Sequence, residues 1–340
     1  MIQQQHLYRP TILPVPEGTP RPLWSVMIPT YNCANYLRET LASVLAQDPG
    51  SEVMQISVVD DHSTKDDPAA VVEELGRGRV DFYRQPQNVG YIKNFETCLQ
   101  RSRGKLIHLL HGDDCVRDGF YQKLQRGFKE NPEVGAAFCR QIHMDERGHW
   151  THISWLEQPE SGILNNWLER IAVQQRIQTP SIVVRRDVYE QLGGFDRRFS
   201  CWGEDWEMWT RIAAHYPVWY EAEPLALYRR SSTSLTGNSV RTGKNIQDLR
   251  KAVGVIRGYL PSERANKLAK TALRNYAFYA LNSAKELLSA GDSYAARNQL
   301  REALLCHSSL SVVNSSLKLG IKIFSHIMLS GIRWTQPANS

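Results

Sequence analysis

Leu106-Ile107-His108-Leu109-Leu110-His111-Gly112-Asp113-Asp114-Cys115 is the stretch that decides how this 340-residue chain is read. Its first five residues form a short apolar run, the pattern of a strand buried on both faces of a parallel sheet. Two adjacent carboxylates, Asp113 and Asp114, stand where that run ends. Open α/β sheets bind their ligands just beyond the carboxyl ends of the strands. Neighbouring carboxylates repel one another, and a hard divalent cation held through oxygen, Mg²⁺ or Mn²⁺, relieves that repulsion. Such an ion keeps coordination positions open for a substrate diphosphate. An isolated Asp-Asp also serves as a solvated turn or a helix start, so the pair takes its meaning from the segments around it.

Upstream, residues 24–29 read as a first strand that ends in Pro29-Thr30-Tyr31-Asn32, and a helical period follows over 36–47. Residues 55–59 read as a second strand ending in Asp60-Asp61-His62-Ser63, and 80–83 as a third. Helices are expected over 68–77 and 91–103. Strands alternating with helices of this length predict a doubly wound, mainly parallel α/β sheet. Three strand ends carry oxygen-bearing side chains, so one edge of the sheet concentrates the chemistry. From 135 to 228 the alternation weakens into an α+β extension, with strands at 136–139 and 181–184 and a helix over 206–215. Beyond 231 the pattern turns helical, with a hairpin of 265–288 and 294–305 turning at Gly291-Asp292. Its small and apolar positions resemble one tetratricopeptide-like repeat. A single repeat builds no array, so the hairpin reads as a packing appendage. The expected layout is a proline-rich leader over 1–23, a main domain over 24–236 with halves 24–115 and 116–236, and a helical region over 237–340.

Hydrophobic residues make up 42% of the chain and charged residues 22%, the balance of an ordinary globular protein, and the net charge of +6 is mild. No basic block is interleaved with aromatics, which argues against nucleic acid as a partner. The six cysteines are scattered without a Cys-x-x-Cys pair, as expected in a reducing compartment. The leader carries five prolines, at 10, 14, 16, 20 and 22, and lacks the apolar core of a signal peptide. No run reaches the roughly 18 apolar residues of a spanning helix. The expectation is a cytoplasmic protein. The tail over 310–334 mixes Leu, Ile, Val and Phe with Lys318, Lys322, His326 and Arg333. That pattern suits a helix lying on the inner membrane surface, and equally one that covers the main domain.

These motifs resemble, in the right order, the family 2 inverting glycosyltransferases of the GT-A fold, which use nucleotide-diphosphate sugars. The resemblance runs from about Trp24 to Thr236. It rests on Val26-Met27-Ile28-Pro29-Thr30-Tyr31-Asn32, Val58-Val59-Asp60-Asp61-His62-Ser63, Asn88-Val89-Gly90 with Lys93-Asn94, Gly112-Asp113-Asp114, Gly193-Gly194-Phe195-Asp196 and Gly203-Glu204-Asp205-Trp206. It implies that Pro29, Thr30 and Tyr31 form a shelf for the base and that Asp61 accepts from the base N–H. Gly90, Lys93 and Asn94 would belong to the segment crossing the nucleotide. Asp114 would be the direct Mn²⁺ or Mg²⁺ ligand, and Asp113 would lie toward the ribose or donor sugar. Asp205 matches the general base for a glycan or lipid-linked acceptor, with Glu204 beside it and Trp202 and Trp206 stacking on the acceptor's C–H faces. Asp205 also opens a helix, where the dipole favours negative charge with no catalytic reason needed.

Two departures stand out. Many relatives carry an Asp where this chain has His111, which leaves the ion's coordination open. Relatives often place a His after the run Leu225-Ala226-Leu227-Tyr228-Arg229, whereas here Arg230 follows; Arg229 or Arg230 is then the candidate partner of the diphosphate. Against a nucleotidyltransferase or sugar-nucleotide hydrolase stands the lack of a glycine-rich basic loop after the first strand. No Gly-x-Gly-x-x-Gly follows any strand, which excludes a nicotinamide dehydrogenase. A non-catalytic scaffold with this fold would be expected to lose Asp61, Asp113, Asp114 and Asp205, and all four are present.

Overall fold

The computed structural model describes residues 8–230 and 235–332. The chain divides into two compact units, one of residues 1–167, 176–198 and 204–230, the other of 168–175, 199–203 and 231–340. The junction at 231–234, where the sequence changes character, lies outside the described residues.

The first unit is built on a ten-stranded sheet. Strands β1 (Trp24–Thr30), β2 (Met54–Asp60), β3 (Asp81–Arg84) and β4 (Leu106–Leu109) run parallel in the order β3-β2-β1-β4. Helices α1 (Ala34–Leu45), α2 (Pro68–Gly76) and α3 (Tyr91–Arg101) connect them. Every residue of β1, β2 and β4 is buried, which explains why those runs read as continuously apolar rather than alternating. Local chemistry sets the helix ends. Asp67 accepts from the Ala69 and Ala70 amides ahead of Pro68, and Arg77 closes α2 in the left-handed conformation.

After β5 (Cys115–Val116) and α4 (Phe120–Glu130), the chain adds β6 (Ala136–Met144), with β7 (Trp150–Ile153) folded back on it and β8 (Gly162–Ile163) beyond. Next come α5 (Trp167–Ala172), which belongs to the second unit from Leu168 onward, then β9 (Ile182–Arg185), α6 (Arg186–Leu192), α7 (Glu204–Ala213) and β10 (Val218–Arg229). β9 is antiparallel to β4 and β6, β10 is parallel to β6, and β5 and β8 pair antiparallel with β10. This mixed half is the α+β extension that the weakening alternation predicts.

The described part of the leader packs on this unit as a strap. Ile12 is buried, the carbonyls of Tyr8 and Pro10 accept from the amides of Arg197 and Gly194, and Leu13 accepts from Arg186.

The second unit is helical: α8 (Leu235–Thr242), α9 (Lys244–Ile256), α10 (Ser262–Ser289), α11 (Ser293–Cys306) and α12 (Leu310–Ile332). The expected hairpin is α10 and α11. Gly291 turns it at φ +86° and Asp292 caps α11 through the Ala295 amide. Buried alanines on both helices (272, 277, 280 and 284 against 295, 296 and 303) let the backbones approach closely. Among the described residues, no helix is long and apolar enough to cross a membrane.

Candidate active site

The parallel register places Thr30 beside Asp60 and Asp60 beside Arg84, so the loops after β1 and β2 meet at one sheet edge. Asp60 is a buried staple that accepts from the Ser63 amide and hydroxyl and from Arg84 Nε. Asp61 accepts the Val89 amide on Oδ1 (2.8 Å) and the Gly90 amide on Oδ2 (3.0 Å), which fixes the turn before α3. Gly90 holds that turn at φ +85°, open to glycine at little steric cost. Burial raises the Asp61 pKa against the lowering effect of those two amides. Each carboxylate oxygen keeps a second lone pair for a base edge.

Pro29 and Thr30 are buried, while Tyr31 stands 48% exposed at the rim. Lys93 is exposed on the first turn of α3. Asn94 corrects the expectation of a nucleotide contact. It is buried, its Nδ2 donates to the Val59 carbonyl (2.8 Å) and its Oδ1 accepts from Gln85 (3.2 Å), so its amide ties α3 to β2.

Gly112 explains why the end of β4 can reach this edge. A Cβ there would lie 2.5 Å from Thr30 Cγ2 and 3.0 Å from Cys33 Sγ, and its amide donates to the Pro29 carbonyl (3.0 Å). That close approach sets His111, Asp113 and Asp114 together, with one potential ligand atom from each lying within 4.8 Å of the others. Asp114 is 1% exposed; its Oδ1 accepts the Arg229 amide (2.8 Å), and its Oδ2 has no hydrogen-bond partner among the described residues. His111 stacks on Phe95 (centroids 5.1 Å apart), its Nδ1 lies 3.6 Å from Asp114 Oδ2, and its buried Nε2 is also without a partner. Burial, and then the neighbouring Asp113, push the Asp114 carboxyl well above the usual carboxylate range, while burial lowers the His111 imidazole. Buried polar atoms without partners are costly. A divalent cation answers both, since it holds a carboxylate ionised and takes neutral imidazole as a ligand. The residues present therefore fit a metal.

Helix α7 brings the third carboxylate. Glu204, Asp205 and Glu207 lie in its first turn, and Asp205 accepts from the Trp206 amide (2.6 Å). Tyr228 on β10 lies close enough to Asp113, Asp114 and Asp205 to feel their charge. Burial, then Asp114, Asp113 and Asp205 in that order, push its phenol far above the ordinary range. Behind the site, Glu207 is buried between Arg9 of the strap (3.1 Å) and Arg211 (3.0 Å), and Arg211 donates to the Gly194 carbonyl (2.9 Å). The Gly193-Gly194 loop and the leader thus brace α7.

Three further expectations are corrected or relocated. Trp206 is 0% exposed and belongs to the core, because its side of α7 turns inward; it has no face for an acceptor. Trp202 lies in the second unit, where its indole N–H donates to Ser239 Oγ (2.9 Å). Arg229 is buried: it pairs with Glu39 (2.6 Å), donates to the Asp113 carbonyl (2.9 Å) and stacks over Tyr36. It props the acidic turn, while Arg230 next to it is exposed. Sequence reasoning did not anticipate that His111 would lie within reach of both Asp113 and Asp114. It also gave no role to Tyr228, although that residue lies in the quoted run 225–229, nor to Arg9, which no motif marks.

The family model described as glycosyl transferase family 2 matches residues 25–193. An uncharacterized protein of Mycobacterium tuberculosis (strain CDC 1551 / Oshkosh) is 29% identical over 248 residues, covering 67% of this chain and 73% of its own. The O-antigen biosynthesis protein RfbC of Myxococcus xanthus is 28% identical over 221 residues, 58% of this chain but 16% of that protein. In fold, the chain is similar to S. aureus TarS 1-349, solved in complex with UDP-GlcNAc (TM-score 0.61, 14% identity, 93% of each chain). It is also similar to the mannosyltransferase PcManGT from Pyrobaculum calidifontis, solved with GDP-Man and Mn²⁺ (TM-score 0.53, 17% identity, 96% of this chain and 91% of that one).

Proposed function

The chain belongs to glycosyl transferase family 2, and from that membership we propose a metal-assisted, inverting transfer of sugar from a nucleotide-diphosphate donor to a hydroxyl of a glycan or lipid-linked acceptor. The observation that carries this reading is the His111-Asp113-Asp114 cluster, with its unpartnered Asp114 Oδ2 and His111 Nε2, beside the carboxyl end of β1. Asp114 and His111 would hold the ion with Asp113 beside them. The ion supplies Lewis-acid stabilisation of the charge that grows on the departing diphosphate. A mixed nitrogen and oxygen donor set suits Mn²⁺, the ion named with the mannosyltransferase neighbour.

The protein's own groups divide the remaining work. Tyr31 offers a flat face to the base and Asp61 a carboxylate to its edge, while Lys93 and Arg230 meet phosphate or ribose oxygens. Asp205 takes the proton from the acceptor hydroxyl. The new bond from acceptor oxygen to anomeric carbon forms as the bond to the phosphate oxygen breaks on the opposite face, which inverts that carbon. The O-antigen relative supports a polysaccharide-type acceptor. All six cysteines are free, which supports a cytoplasmic site of action.

Calorimetric titration with UDP and GDP, with and without Mn²⁺, tests the reading on the wild-type chain and on Asp114→Asn. Metal-dependent binding that the substitution abolishes is the expected result. A folded wild-type sample that binds neither nucleotide would overturn it.

A further inference from the structure

Helix α12 has two apolar faces, and among the described residues only one of them is covered. Val312, Ser316, Leu319 and Ile323 are buried, packed toward α10 and α11. On another side Leu310 (82% exposed), Leu317 (62%), Ile321 (68%), Phe324 (61%) and Met328 (52%) lie open. At 3.6 residues per turn these five fall within an arc of roughly 60° and so form one continuous stripe. Single exposed leucines are ordinary on a protein surface, but a stripe of five large side chains marks an interaction site.

Charge identifies the occupant. Along one flank of the stripe run the exposed Lys318 and Lys322, together with serines, and residues 310–340 contain no Asp or Glu. A second copy packed along this seam as a coiled coil would need acids on one flank to meet the lysines of the other. The helix supplies lysines alone. A lipid surface with anionic headgroups satisfies both features, because it takes the apolar stripe into its boundary and pairs with the lysines. The helix is not apolar enough to span.

We propose that α12 is an interfacial helix whose Leu310-Leu317-Ile321-Phe324-Met328 face docks on an anionic phospholipid bilayer. This inference rests on α12 alone and is independent of the transfer chemistry.

Co-sedimentation of the full chain with vesicles tests it, using phosphatidylcholine alone and phosphatidylcholine mixed with phosphatidylglycerol, and no donor or metal. The wild type sediments with the mixed vesicles and is released by salt. Leu317→Glu combined with Phe324→Glu lowers the partition coefficient more than about a hundredfold, from the apolar burial it removes. Lys318→Gln combined with Lys322→Gln, which leaves the stripe intact, lowers it by about fivefold per lysine. Unchanged helical circular dichroism and an unchanged melting transition in both variants would show that their folds are intact. Failure of the wild type to sediment with mixed vesicles overturns the proposal, as does undiminished sedimentation of the Leu317/Phe324 variant. A dimer that this same variant dissolves, without vesicle binding by the wild type, assigns the stripe to a second copy and also overturns it.

Discussion

Asp114 is kept in a burial that its charge opposes, with one oxygen held by the Arg229 amide and the other unpartnered. Sites arranged for function are often destabilised in this way. Asp114→Asn is therefore expected to match or exceed the metal-free wild type in thermal stability while losing Mn²⁺ binding, a pairing checked by melting in chelator alongside metal titration. His111→Ala should weaken Mn²⁺ by about ten- to a hundredfold, with little change in melting. His111→Asp should recover binding and shift the preference toward Mg²⁺.

Two residues before Leu110, His108 titrates for a different reason. It is fully buried, with its Nε2 on the Pro180 carbonyl (2.9 Å), and burial lowers its pKa to about 4. A base with a depressed folded pKa binds more protons unfolded, so stability is intact above the ordinary value of 6.5 and lost as pH falls toward about 4. Over that window the loss amounts to about 3 kcal/mol at most. Urea unfolding at several pH values should show this slope, and His108→Gln should flatten it.

At the scale of elements, the site depends on two approaches of backbone to backbone. Gly112 lets the end of β4 lie against the loop after β1. Gly112→Ala forces Cβ into Thr30 and should cost about 1–3 kcal/mol, together with nucleotide affinity, as read by denaturant midpoint and calorimetry. Helix α7 is aimed through the buried Glu207, held by Arg9 and Arg211. Arg9→Ala removes one of the two guanidinium groups paired with the buried Glu207, a cost of about 3 kcal/mol by analogy with broken buried pairs. Because α7 carries Asp205, kcat should fall more than UDP affinity does, and Arg9→Lys should recover part of it.

On the scale of the whole molecule, ligand binding should report on the unit that contains the sheet. Saturation with UDP and Mn²⁺ at about a hundred times Kd adds about 2.7 kcal/mol to its stability. The melting transition should rise by a few degrees in the wild type and stay fixed in Asp114→Asn. The parallel character of β1, β2 and β4 was legible because all three are buried throughout and read as continuous apolar runs separated by helical periods, whereas their order in the sheet was not. Helix α4 was not read: Phe120, Tyr121, Leu124 and Phe128 mark its inner face, but seven polar or glycine positions are interspersed among them. Strand β10 was not read, because the irregular pairing around Pro224 breaks its period.

By itself the sequence determined the parallel half-sheet, the helical hairpin and the family, since periodicity and motif order are local properties of the chain. It also placed Asp61, Asp113 and Asp114 at strand ends. Only the tertiary structure decided which side chains face inward. Trp206 and Arg229 go to the core, Asn94 becomes a tie between elements, and His111 joins the acidic pair. Those outcomes follow from burial and from partners distant in sequence: Phe95 under His111, Glu39 on Arg229, and Arg9 against Glu207 across 198 residues. No local pattern records such pairings, because their energies exist only once the sheet has brought the partners together.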